Sequence, residues 1–167
     1  MAASTIFYGV TRGATDLTRK VIELDTAMVN LRRVMDMPDF KFNEMLEKSI
    51  VNVENLSGKL SDYLVLVNEF GRMGFNDLET LDMSNTAQML TNISDLKAEE
   101  SVSSLVAAMT AFNITAEDSV SIADKLNQVD NEFSITTKDL AQSMNKAAAT
   151  SQVFGVSLEQ LLGYTTA

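Results

Sequence analysis

The chain has no histidine, no cysteine and no tryptophan in its 167 residues. The first two absences remove Ser-His-Asp and Cys-His nucleophilic catalysis, and with them every ordinary zinc site. Without cysteine there is no disulfide stapling, which fits a reducing compartment but does not fix one. One proline, seven glycines and 7% aromatic residues point to helices rather than to a sandwich or barrel. No apolar run approaches the roughly 18 residues of a membrane-spanning helix. Met1 to Ala14 has no positive leader before an apolar core, so a secretory signal is not expected. Gly71-Arg72-Met73-Gly74 lacks the lysine and the preceding strand that a phosphate loop needs.

What is present is an acidic, apolar-rich chain. The apolar fraction of 46% is that of a globular protein and argues against disorder. The net charge of −10 is unevenly placed. Through residue 40, five basic residues balance five acidic ones, whereas residues 41–167 hold 8 basic against 18 acidic. Such a surface repels phosphate backbones, so specific nucleic-acid binding is not expected.

The strongest periodic feature is a seam at alternating three- and four-residue spacing: Ala14, Leu17, Val21, Leu24, Met28, Leu31 and Met35. As a helix it would span about 35 Å. It extends back through Val10, Phe7 and Ala3, although Gly9 and Gly13 weaken helix there. Two uses of the seam stand side by side: a core-facing helix, or a coiled coil between copies or continuing into a longer rod. Ile22 and Val29 widen the apolar face and favour packing among several helices. Asp36-Met37-Pro38 ends the element.

Seven shorter helices follow by the same period. Their stripes are Phe42, Leu46, Ile50 and Val53; Leu60, Leu64, Val67 and Phe70; then Leu78, Leu81, Ala87 and Leu90. The next two are Val102, Leu105, Val106 and Met109, and Val120, Ala123, Leu126 and Val129. An alanine-rich helix from Leu140 to Ala148 and on toward Val153 suits close packing, and the last carries Leu158, Leu161 and Leu162. Nothing alternates with period two, so the expected fold is all-α: a long amphipathic N-terminal helix over 1–37, then an array of antiparallel helical hairpins over 38–167. A compact array and a short superhelix are both consistent with a helix pair roughly every 40 residues. The last helix stops at Ala167 without an evident cap, as expected of a fragment of a longer chain.

Between the stripes lies a recurring joint made of a turn former, an apolar residue and a capping side chain. It occurs at Asn55-Leu56-Ser57, Gly74-Phe75-Asn76, Asn92-Ile93-Ser94, Asn113-Ile114-Thr115, Ser134-Ile135-Thr136 and Gly155-Val156-Ser157. Successive joints lie 19, 18, 21, 21 and 21 residues apart. Asn76 with Glu79, Thr115 with Asp118, Thr136 with Asp139 and Ser157 with Gln160 form complete capping boxes. Ser57 and Ser94 face Leu60 and Lys97 instead, so their boxes are incomplete.

Carboxylate pairs at Glu99-Glu100, Glu117-Asp118 and Asp130 with Glu132 could in principle divide acid and base roles. All sit at helix starts or polar joints, where capping and the helix dipole account for them. Asp124, Asn127 and Asp130 lack the glycine turn and terminal Glu of a calcium loop. The ten methionines fall mostly on apolar stripes and read as core filler. No catalytic, cofactor-binding or metal residue is expected, and no cofactor; the chain reads as a packing or scaffolding module, not an enzyme.

The residues also carry a likeness. The run Leu96-Lys97-Ala98-Glu99-Glu100-Ser101-Val102-Ser103-Ser104-Leu105-Val106-Ala107-Ala108-Met109-Thr110-Ala111-Phe112-Asn113-Ile114 resembles the core of tail tape measure proteins of long-tailed bacteriophages and prophages. So do its continuation from Ala116 to Val129, the stretch Val21 to Met28 and the ending Gly155 to Leu162, in order over roughly residues 15–167. The resemblance implies a structural and assembly role: occupancy of the tail-tube lumen, a part in setting tail length, and release ahead of DNA. It implies other copies of the chain, tube and tail-tip proteins and tail assembly chaperones as partners, in the virion and, during assembly, in the host cytoplasm. The chain lacks the long repetitive coiled coil, apolar segment and peptidase domain of full-length members, which puts the measuring length elsewhere. The competing expectation is an α-solenoid adaptor that takes a partner helix or peptide in a groove.

The charge distribution makes a first prediction. Titrated with duplex DNA at physiological salt, the chain should show no binding at micromolar concentration, and micromolar binding would overturn the electrostatic reading.

Overall fold

The computed structural model describes residues 19–94 and 96–166, and these form eight helices with no strand among the described residues. Helix α1 covers 19–34, followed by α2 (Asp39–Asn55), α3 (Leu60–Arg72), α4 (Asp77–Ile93) and α5 (Ala98–Phe112). The chain continues through α6 (Val120–Glu132), α7 (Thr137–Val153) and α8 (Leu158–Thr165). The long N-terminal helix expected over 1–37 is not shown. Ala14, Leu17 and the seam's extension through Val10, Phe7 and Ala3 lie outside the described residues, and α1 as described has 16 residues. Its end has a local cause: Pro38 pushes its predecessor out of helical geometry and itself precedes the first turn of α2. Arg32 clamps the corner, pairing with Asp39 while its guanidinium lies 4.3 Å from the centre of the Phe42 ring.

The C-terminal part of the seam is used inside the chain. Leu31 and Met35 are buried with Phe42, Met45, Val53, Tyr63, Leu64, Val67 and Leu81 in the smaller of two cores. Burial fades toward the start of α1, where Val21 is 66% exposed against its assignment to the seam.

Helices that pack extensively on one another are neighbours or next-but-one neighbours in the chain. Two layers result: α3, α5 and α7 lie in one, α2, α4, α6 and α8 in the other, and the largest interface is that of α5 with α7. This is the contact pattern of a stack rather than of isolated hairpins. The larger core runs through α3 to α8 and contains Phe70, Met83, Leu90, Leu105, Ile122, Leu126, Leu140, Met144 and Leu162. Because α3 and α4 feed both cores, their buried surfaces are wider than a single stripe. Met83, Ser84, Gln88 and Tyr63 are buried alongside the expected positions, whereas Leu78 at 66%, Val120 at 39% and Ile50 at 38% are exposed against expectation. In α2 the buried face shifts to Phe42, Met45, Ser49 and Val53, with the Ser49 hydroxyl donating back to the Met45 carbonyl (2.8 Å).

Complete capping boxes form at Asn76 and Ser157, and Thr136 caps α7 through its side chain, with the Asp139 carboxylate taking the Thr136 hydroxyl rather than its N–H. Each side chain accepts the N–H three residues on, and Glu79 and Gln160 take the cap N–H in return. Gly74 and Gly155 adopt positive φ values of 86° and 68° to close the preceding helices. Ser57 and Ser94 do not cap. Ser57 takes φ 54° and closes α2, with the Gly58 N–H on the Val53 carbonyl (3.1 Å), while the Ser94 hydroxyl turns back to the Leu90 carbonyl. Lys59 and Lys97 precede α3 and α5 instead. At the central joint, Asn113 is left-handed as expected, at φ 54°, and Thr115 receives the Asp118 N–H (3.3 Å). No α-helix starts directly after Thr115, however. A turn through Ser119 intervenes, because the buried Ser119 hydroxyl is drawn into contact with Thr86 (2.9 Å), and α6 begins at Val120.

Tyr63 ties α2, α3 and α4 together. Its buried hydroxyl accepts from Asn52 Nδ2 (3.1 Å) and donates to Asn85 Oδ1 (2.7 Å). Tyr63→Phe should cost about 1–3 kcal/mol in urea denaturation at pH 8, because the two asparagines lose their partner. Burial pushes the Tyr63 pKa up to about 12, against an unfolded value of roughly 10. Between those values the unfolded chain releases a proton that the folded chain keeps, so the contribution is complete below roughly pH 10 and declines as pH rises toward 12. The stability gap between wild type and Tyr63→Phe should shrink over that window; a gap independent of pH would contradict the assignment.

Candidate functional site

Four of the six paired carboxylates, Glu100, Asp118, Asp130 and Glu132, are held in local hydrogen bonds. At the start of α5, Glu100 Oε2 accepts the Lys97 N–H at 2.9 Å. In the turn before α6, Asp118 Oδ2 accepts the Thr115 hydroxyl at 2.8 Å. Asp130 Oδ2 accepts both the Thr137 hydroxyl (2.6 Å) and the Thr137 N–H (2.8 Å), locking the end of α6 to the start of α7. Those two bonds, the hydroxyl first, hold the Asp130 carboxyl below the usual carboxylate range. Glu132 accepts from Gln128 at 3.0 Å, while Asp124 and Asn127 are exposed. The structure brings no acid/base pair together from these residues. Among the described residues no group of three or more Asp or Glu is placed to hold a metal.

Gly71-Arg72-Met73-Gly74 is the last turn of α3 and its exit. A Cβ on Gly71 would stand 2.9 Å from the Met35 methyl, so the glycine lets the end of the α1 seam lie directly on α3. Its role is packing.

What the surface offers is apolar. At one end of the stack, Phe40 (68% exposed) and Leu78 (66%) flank the Lys41–Asp77 ion pair of 4.0 Å, which sets the starts of α2 and α4 side by side. At the turn from α7 to α8, Val153 and Phe154 are 80% and 77% exposed, so the buried face of α7 ends at Ser151 rather than at Val153. A groove of about 280 Å³ between α6 and α8 is floored by Val129, Phe133 and Leu162, and the Lys125–Glu159 pair (3.4 Å) bridges the two helices at its rim. Helical period flagged none of these positions as surface, since spacing alone does not separate a face turned to a neighbour from one turned to solvent. Val153 and Phe154 did carry a local signal: they directly precede the left-handed Gly155 that ends the helix.

A family model described as phage-related minor tail protein matches residues 51–167, more than two thirds of the chain. The match takes in the end of α2 and all of α3 to α8, and leaves α1 outside. No solved structure matches the chain.

Exposure of these apolar side chains is testable apart from any partner. Leu78→Ser and Phe154→Ser should each change unfolding stability by no more than about 0.5 kcal/mol, whereas Leu105→Ala in the core should cost roughly 2–5 kcal/mol in the same denaturation assay. A large loss at Leu78 or Phe154 would mean that they are packed.

Proposed function

The chain belongs to the phage-related minor tail protein family, and from that premise we propose that it is a helical module of a tail tape measure protein. In this role it occupies the lumen of the tail tube, helps set tail length during virion assembly and leaves ahead of DNA. Its partners are further copies of itself, tube and tail-tip proteins and tail assembly chaperones, met first in the host cytoplasm. The role is structural rather than catalytic, and recognition of specific nucleic acid is not part of it.

One observation carries this reading. The residues most like tape measure cores, Leu96 to Val129, are those that build α5 and α6, and α5 packs on α3, α4 and α7 at the centre of the stack. The likeness therefore falls on the framework of the fold rather than on a removable surface patch. The same framework limits what the module can measure. A continuous helix adds about 1.5 Å per residue, whereas helices of 13 to 17 residues folded against one another, as α2 to α7 are, add little length. The ruler is then carried by other parts of the parent chain, and this module is its folded assembly element. The two-layer stack also suits a solenoid-like adaptor that displays Phe40, Leu78 and Phe154 to a partner.

The test is to duplicate or delete in-frame helical segments of the parent gene and measure virion tails by electron microscopy. Tail length should change by about 1.5 Å for each residue of extended helix added or removed. Tails of unchanged length would overturn the tape measure reading, and a change in length would set the adaptor reading aside.

A further inference from the structure

The layer that holds α3, α5 and α7 has α1 at its other edge, and its helices run in one sense. Met35, just past the end of α1, lies against Gly71 near the end of α3. The Ser104 hydroxyl of α5 meets the Ala141 carbonyl of α7, each in the first half of its helix. Among the described residues α1 and α7 are thus the outermost helices of the layer, each with a layer neighbour on one side.

A stacked array stays apart from its copies when both end faces are polar. Neither end face here is. On α1, burial of Ala27, Leu31 and Met35 leaves Ile22, Thr26, Val29 and Arg33 on the opposite side, and all four are exposed. The helix is therefore apolar on two opposite sides, the pattern of a helix with neighbours on both. On α7, burial of Leu140, Ala141, Met144 and Ala148 leaves Gln142, Lys146, Ala149 and Val153 opposite, the last three exposed. Both sets follow the same spacing of four, three and four residues.

The two faces also match in size and charge. Continued in its own sense, the layer lays α1 of one copy parallel to α7 of the next. With Ile22 at the level of Gln142, Val29 falls at Ala149, a large aliphatic residue against a small one. Small residues likewise make the α5–α7 crossing inside the stack. The same register sets Arg19 at Asp139 and Asp25 beside Lys146, opposite charges in both cases. It brings Arg33 to the last turn of α7, where the helix dipole favours a cation. We propose that copies of this chain associate end to end, the outer face of α1 on one packing parallel against the outer face of α7 on the next. Two different faces meet, so each copy keeps one of each and the association runs on into rows. The proposal rests on the reading that copies of the chain are partners, and its test in solution is separate from tail length.

The test is sedimentation velocity of the full 167-residue chain. A contact of one helix pair is small, and the net charge of −10 resists close approach. Concentrations of about 20 µM to 1 mM are therefore compared at physiological salt and above, where repulsion is screened. The sedimentation coefficient should rise with concentration, and Ile22→Glu and Ala149→Glu should each abolish the rise at unchanged melting temperature. Mixed, those two variants should give dimers and nothing larger, because each keeps the face the other lacks. Asp25→Lys should weaken association about threefold, and Asp25→Lys/Lys146→Asp in one chain should restore it. A coefficient independent of concentration would overturn the proposal, as would a mixture that stays monomeric. So would full association by Ala149→Glu alone, which would mean that α1 pairs with itself.

Discussion

The close approach of α5 and α7 is the contact on which the stack depends. It requires small residues at the crossing: Ala141 and Ala148 on α7 are fully or almost fully buried, as are Ser101, Ser104 and Ala108 on α5. The backbones come near enough for the Ser104 hydroxyl to donate to the Ala141 carbonyl at 3.2 Å. Protein interiors pack at crystal-like density, so side chains of this size set the distance between the two backbones. With α5 held against α7, its other faces are left to α3 and α4, and the two-layer order follows.

The second constraint lies at the helix ends, where four N–H and four carbonyl groups need partners outside the helix. Most polar side chains that look functional in this chain answer that need. Glu100, Asp118, Asp130, Asp139 and Gln160 all bond within a few residues of a helix start. Four of the starts of α2 to α8 have no side-chain cap, those of α2, α3, α5 and α6. Large apolar side chains remain exposed beside helix ends, Phe40, Leu78 and Phe154 among them.

Much of this was legible in the sequence wherever the signal was local. All-helical character followed from unbroken helical period. The capping boxes with a complete partner set became caps at Asn76, Thr136 and Ser157, and those with Leu60 or Lys97 in the partner position did not form. Thr115 was the exception, because a contact 33 residues away in sequence, Ser119 with Thr86, overrode a well-formed local signal. Apolar period was a poorer guide to burial. It left out Tyr63, Ser49, Ser84 and Gln88, which are buried because each has a hydrogen-bonding route, and it counted in Leu78 and Val120, which no neighbouring helix covers.

Sequence by itself determined the helices, most of their ends and the freedom from histidine and cysteine chemistry, since these depend on groups within about four residues of one another. Only the tertiary structure decided that the end of the N-terminal seam is spent inside the molecule, with Leu31 and Met35 against Phe42 and Tyr63. It likewise decided that α5 meets α7 rather than only its chain neighbours, and that residues at the starts of α3 and α5 line one cavity with Gln88. These are meetings of residues far apart in the chain. Which face of a helix is covered depends on the shape of its neighbours, and no residue carries that information alone.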